Sequence, residues 1–117
     1  MPSGPWRIVL GREADRDFET IIIWTADRFG AQQADRYRRV IDAALQELRR
    51  DGPELPGSKR RDEIRPGLRI LHVARHGRRG RHMILYSVEK LGTIDVLRIL
   101  HDSMDMARHV PDEPEGD

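Results

Sequence analysis

The sequence predicts an α+β fold. Its order is β-α-α-β-β-β with a short C-terminal helix, and a helix hairpin packs on a mainly antiparallel sheet. Three observations carry this expectation. Between residues 13 and 50, apolar side chains recur every three or four positions, the period of an amphipathic helix, with one interruption at Gly30. Between residues 68 and 101 lie three apolar, β-prone runs joined by glycine-containing connectors of hairpin length. Helices grouped before strands, rather than alternating with them, favour a helix layer on one face of an antiparallel sheet.

Each element follows from its residues. Trp6, Ile8, Val9 and Leu10 form a short aromatic and β-branched run, read as a strand that Gly11 ends. Residues 13–29 place Ala14, Phe18, Ile21, Ile22, Thr25 and Phe29 on one stripe, with Glu13 and Asp15 in the first turn where the helix dipole favours anions. Gly30 is expected to end this helix in a left-handed cap. Residues 31–50 carry a second stripe of Ala34, Tyr37, Ile41, Ala44, Leu45 and Leu48, stopped by Gly52 and Pro53. So short a link makes the two helices an antiparallel hairpin. Residues 51–67, with Pro53, Pro56, Gly57, Pro66 and Gly67, read as an extended connector. Strands are expected over 68–74, 82–88 and 93–101, giving four in all. The last two are apolar on both faces, so both faces need cover. The helix pair covers one; the C-terminal turn or a partner chain covers part of the other. Residues 103–109 contain no β-branched residue and read as a short helical turn.

The 117 residues suit one domain, placed at residues 1–110, with an acidic tail over 111–117 expected to be disordered. The net charge of +1 conceals a basic middle. Residues 59–82 hold nine Lys or Arg against two acids, while residues 83–117 hold three against eight. There is no cysteine, which excludes disulfides, thiol nucleophiles and Cys-based metal sites. No apolar run reaches the roughly 20 residues that span a bilayer. No signal-peptide pattern opens the chain, so a soluble cytoplasmic protein is expected.

The residues that carry chemistry are few. The basic segment suits an acidic partner, or simply a solvated surface; with no aromatic residue between Lys59 and Arg81, stacking on single-stranded nucleic acid is not favoured. Arg69 and Arg98 lie inside apolar strands, where each must either pair with a carboxylate or face a groove. Strict alternation places Arg98 with Ile94, Val96 and Leu100. His72, His76, His101 and His109 do not converge as zinc ligands from their spacing, so no metal is expected. His101, Ser103 and Asp105 have the residue types of a nucleophilic triad, but neighbours in sequence rarely reach its geometry. Ile23 and Trp24, off the helix stripe, form either a partner surface or a contact with the sheet edge.

The order of several motifs resembles the ParE toxins, in the ParE/RelE superfamily of toxin–antitoxin modules. Ala14, Asp17, Ile21, Trp24 and Thr25 match the family's opening. Phe29, Gly30, Gln33, Ala34 and Tyr37 resemble its helix–helix turn, Pro66 to Arg69 the start of its second strand, and His82 to Tyr86 its third. Leu97 to Asp105, followed by Arg108, His109 and Val110, resemble its ending most specifically. The resemblance implies a type II toxin that poisons DNA gyrase without catalysis or cofactor, neutralised by a cognate antitoxin wrapped over it. Binding is expected to rest on an apolar groove and Arg-rich edges, with target contact at Arg69, Arg98, His101 and Met104, and antitoxin contact at Trp24, Phe29 and Tyr37. On this reading Arg98→Ala relieves toxicity while the antitoxin still binds. The alternative is the RelE branch, ribosome-dependent mRNA endonucleases. Arg69 and Arg98 would then hold phosphate and His101 act as a base, although the C-terminal Tyr common in that branch is absent.

Overall fold

The computed structural model describes residues 5–110. Strand β1 (Arg7–Leu10) leads into helix α1 (Arg12–Phe29) and helix α2 (Ala31–Asp51). Strands β2 (Lys59–Arg60), β3 (Arg69–His72), β4 (His82–Lys90) and β5 (Thr93–His101) follow, then a 3-10 turn at Met106–Arg108. The sheet order is β1-β5-β4-β3-β2; β1 runs parallel to β5 and the other neighbours are antiparallel. This is the expected α+β layout with one addition. Lys59 and Arg60, read as connector, pair with Ile70 and Arg69 and make a fifth strand. Two charged residues give no periodicity from which to read a strand. The acidic tail expected over 111–117 lies outside the described residues.

Both helices turn the stripes that the sequence marks toward the core, with Phe18, Ile21 and Tyr37 half-buried and Phe29 exposed. Ala14, Ile22 and Thr25 of α1 and Ala34, Ile41, Ala44, Leu45 and Leu48 of α2 are buried. Phe29, placed on the α1 stripe by spacing, is the last residue of the helix and is 65 % exposed. Gly30 does end α1, its N–H donating to the Ala26 carbonyl. Its φ of 91° comes with a ψ of 166°, so the cap is not the left-handed helical one expected. That region is essentially reserved for glycine and reverses the chain at once into α2.

Two apolar clusters sandwich the sheet. On the helix side, Ile84, Tyr86, Ile94, Val96 and Ile99 pack with Ile41, Leu45 and Leu48. On the other side Leu68, Met83, Leu85, Leu97 and Leu100 are covered by Ile64, Ile70, Met106 and Val110. The chain's own connector and C-terminal turn therefore cover the second face. Burial of both faces explains why β4 and β5 read as nearly continuous apolar runs.

The alternation expected for β5 breaks at one point. Leu85 opposes Arg98 and Tyr86 opposes Val96, so Leu97 is an extra residue on β5. A bulge of this kind reverses the phase beyond it. Ile94 and Val96 stay on the helix side, while Arg98, opposite Leu85, moves to the other face. The assignment of Arg98 to the face of Ile94 and Val96 is thereby corrected.

Candidate functional site

Arg98 is locked inside the chain. Its Nε and Nη2 donate to the two carboxylate oxygens of Asp17 at 2.7 and 2.9 Å, and Nη1 donates to the His109 carbonyl at 2.9 Å. Glu13 stands 3.5 Å away. Asp17 also accepts the Ile99 N–H at 2.9 Å. β1 pairs with β5 only as far as Val96, so beyond it the free edge of β5 is served by this α1 carboxylate. The pair joins α1, β5 and the C-terminal segment.

A second polar cluster gathers where β4 begins and β5 ends. His82 opposes His101 in register, their rings 5.3 Å apart and edge to face. The Tyr37 oxygen accepts the Arg81 N–H at 3.1 Å and shares a 2.6 Å hydrogen bond with Nδ1 of His82. Arg81 forks onto Asp102, its Nη2 donating at 2.8 Å, and Asp102 also meets His72 Nε2 at 3.0 Å. Burial, and then the neighbouring His101, push the His82 imidazole down to about 4, against the pull of Asp102. Hydrogen bonds from Arg81 and His72 hold the Asp102 carboxyl well below the usual carboxylate range. Burial raises the Tyr37 hydroxyl.

This cluster makes the stability of the fold depend on pH. The native state keeps His82 neutral down to about pH 4, whereas the unfolded chain protonates it near its ordinary value of 6.5. Between those values the unfolded state binds more protons, so His82 contributes stability above pH 6.5 that is lost as pH falls toward 4. The slope is about 1.4 kcal/mol per pH unit for one proton. Asp102 adds a further loss below the ordinary carboxylate range. Urea unfolding across pH 7 to 4 should show the His82 slope, and His82→Leu should flatten it.

The residues expected to form one target surface do not converge. Arg69 opposes Tyr86 on the helix face, while Arg98 lies on the other face. Along β4, Tyr86 and His82 are four residues apart, roughly 13 Å, and this separates Arg69 from His101. His101 and Met104 are close, joined by the Met104 N–H to the His101 carbonyl at 3.0 Å, and Met104 is exposed. His101 Nδ1 is 2.7 Å from Ser103 Oγ. Asp105 instead caps the 3-10 turn through the Ala107 N–H, so no His–Ser–Asp triad forms.

On α1, Ile23, Trp24 and Phe29 are each more than half exposed. Trp24 and Phe29 stack edge to face at 6.0 Å, and the Arg28 guanidinium lies 5.1 Å over the Trp24 ring. Tyr37, grouped with them by sequence, turns its hydroxyl into the histidine cluster. Sequence reasoning missed that cluster, because Tyr37 and His82 are 45 positions apart. The available signal was His82 itself, a polar residue opening an apolar strand.

The site thus combines a helix hairpin on a mixed sheet, an exposed Trp24–Phe29 pair, and Arg81 and Arg98 paired with Asp102 and Asp17. Family comparison then identifies the chain. The family model described as ParE toxin of type II toxin-antitoxin system, parDE, matches residues 8–106, and the chain belongs to this family. It is 36 % identical over 104 residues to Toxin ParE1 of Mycobacterium tuberculosis (strain ATCC 25618 / H37Rv), covering 89 % of this chain and 97 % of that protein. It is 30 % identical over 107 residues to Toxin ParE1 of Caulobacter vibrioides, covering 91 % and 97 %. A solved structure titled Chromosomal ParDE TA system from P. aeruginosa shares the fold at TM-score 0.66 and 22 % identity, covering 82 % of this chain and 95 % of that one. Among the described residues, no helix is long and apolar enough to cross a membrane.

Proposed function

We propose that this chain is a toxin directed at DNA gyrase, acting in the cytoplasm by binding rather than catalysis, and held inactive by a cognate antitoxin. The observation that carries the reading is the pairing of two arginines, Arg81 in the histidine cluster and Arg98 on the His109 carbonyl. Arg81 is engaged by Asp102 and Arg98 by Asp17. A phosphate-cleaving centre needs cations free to meet charge developing in the transition state. Here carboxylates already occupy them, and Arg98 serves the fold. The antitoxin is assigned to the open face of Trp24 and Phe29, whose aromatic pair suits a partner helix or strand.

One observation favours a second reading, an mRNA endonuclease. The His82–His101 ring pair with Tyr37 has the residue types of acid–base chemistry. Controlled induction of the chain alone separates the two. The gyrase reading expects a DNA-damage response with intact mRNA. In-frame mRNA cuts with undamaged DNA would replace it with the second.

A further inference from the structure

We infer that the cleft beside Arg69 is a docking site for an acidic peptide segment of a partner protein, taking one carboxylate at Arg69 and an adjacent apolar side chain between Trp6, Val88 and Leu91. The inference rests on the reading of this chain as a protein-binding toxin and names the chemistry of one contact.

Five arginines are half-buried among the described residues: Arg61, Arg65, Arg69, Arg75 and Arg98. Four have a carboxylate of this chain within ion-pair distance, namely Glu63, Glu89, Glu47 and Asp17 in that order. Arg69 has none. Its Nε donates to Ser58 Oγ at 2.9 Å; Ser58 donates to the Tyr86 oxygen at 2.5 Å; Tyr86 donates to the Pro53 carbonyl at 2.6 Å. The chain of neutral groups holds the guanidinium in place without neutralising it. Asp62, which feels the charge of Arg69, is occupied by Arg60 and the Gly67 N–H. A partly desolvated cation held only by neutral partners is costly, and an incoming carboxylate relieves that cost with a charge-assisted, geometrically matched contact.

The surroundings select the ligand class. Arg69 lines a cleft of about 440 Å³ whose other walls include Trp6, Pro53, Val88 and Leu91. Leu91 is 75 % exposed at the tip of the β4–β5 turn, and Val88 is also exposed. Asp51 and Glu54 also line the cleft. A nucleic-acid backbone would bring repeated charge against those two acids, whereas a single carboxylate flanked by an apolar side chain meets Arg69 and the apolar walls together. α2, 21 residues and about 30 Å long, separates this cleft from the Trp24–Phe29 face. One short segment cannot fill both sites.

The test is a titration of the ¹⁵N-labelled full chain with the capped tripeptide acetyl-Leu-Asp-Phe-amide at millimolar concentration. Saturable amide shifts are expected at Arg69, Val88, Leu91 and the Trp6 indole. Affinity should fall about tenfold or more in Arg69→Gln, and equally with Asn in place of the peptide's Asp. Leu91→Ser, on an exposed turn that leaves the fold intact, should weaken binding as well. Shifts confined to other surfaces, absent shifts, or affinity indifferent to Arg69→Gln in a variant with an unchanged spectrum elsewhere would overturn the assignment. No gyrase is present in the titration, so failure of the cleft is distinguishable from failure of the gyrase reading.

Discussion

Arg98→Ala should destabilise the fold by about 3–5 kcal/mol, the usual consequence of removing one partner of a buried ion pair. The Arg98 and Asp17 side chains are only 16 % and 15 % exposed. Without the guanidinium, Asp17 keeps only the Ile99 N–H, and the His109 carbonyl loses its donor. α1, β5 and the C-terminal turn lose their common tie together. Arg98→Lys retains the charge but not the fork, so its loss should be intermediate. Urea unfolding measures both variants; an Arg98→Ala protein within about 0.5 kcal/mol of the parent, the range of neutral surface changes, would refute the lock. The sequence alone assigned Arg98 to target contact and expected Arg98→Ala to spare antitoxin binding. The structure gives a different cause for any lost toxicity: less folded protein, visible as lower soluble yield.

Trp24→Ala and Phe29→Ala should each weaken the antitoxin complex by about 2 kcal/mol, roughly thirtyfold, while leaving the unfolding midpoint unchanged. Both side chains are more than half exposed and pack edge to face on each other. The free chain therefore loses little with either. A partner covering the face loses a rigid aromatic pair already braced by Arg28. Truncating both together should cost less than the sum, since each positions the other. Calorimetric titration with the cognate antitoxin measures the effect. Affinity within threefold of the parent for both variants would move the antitoxin to another surface.

The parts of this fold legible in the sequence are those set by local periodicity. Ala14, Ile22, Ile41, Leu45 and Leu48 announce their buried faces by spacing, and Gly30 marks the hairpin because few other residues reverse the chain there. The doubly apolar reading of β4 and β5 correctly required two covers, and Met106 and Val110 proved to supply part of the second. What escaped depends on partners distant in the chain. The Leu97 bulge is set by register against β4, and no property of Leu97 itself signals it. Whether Arg98 was paired or facing a groove turned on Asp17, 81 residues earlier. Arg69 looked equivalent to Arg98 in sequence, since both are single cations in apolar strands. Only the folded chain separates an arginine with a carboxylate from one held by Ser58 and Tyr86.

On the proposed function, this chain disables its target by binding, with its arginines serving fold and recognition rather than phosphate chemistry. Incubating the purified protein with purified DNA gyrase and supercoiled plasmid tests it most directly. The expected result is dose-dependent trapping of the gyrase–DNA cleavage complex, abolished by adding the antitoxin first. Gyrase that works at full rate beside the folded protein, with ribosome-bound mRNA cut in a parallel reaction, would contradict it.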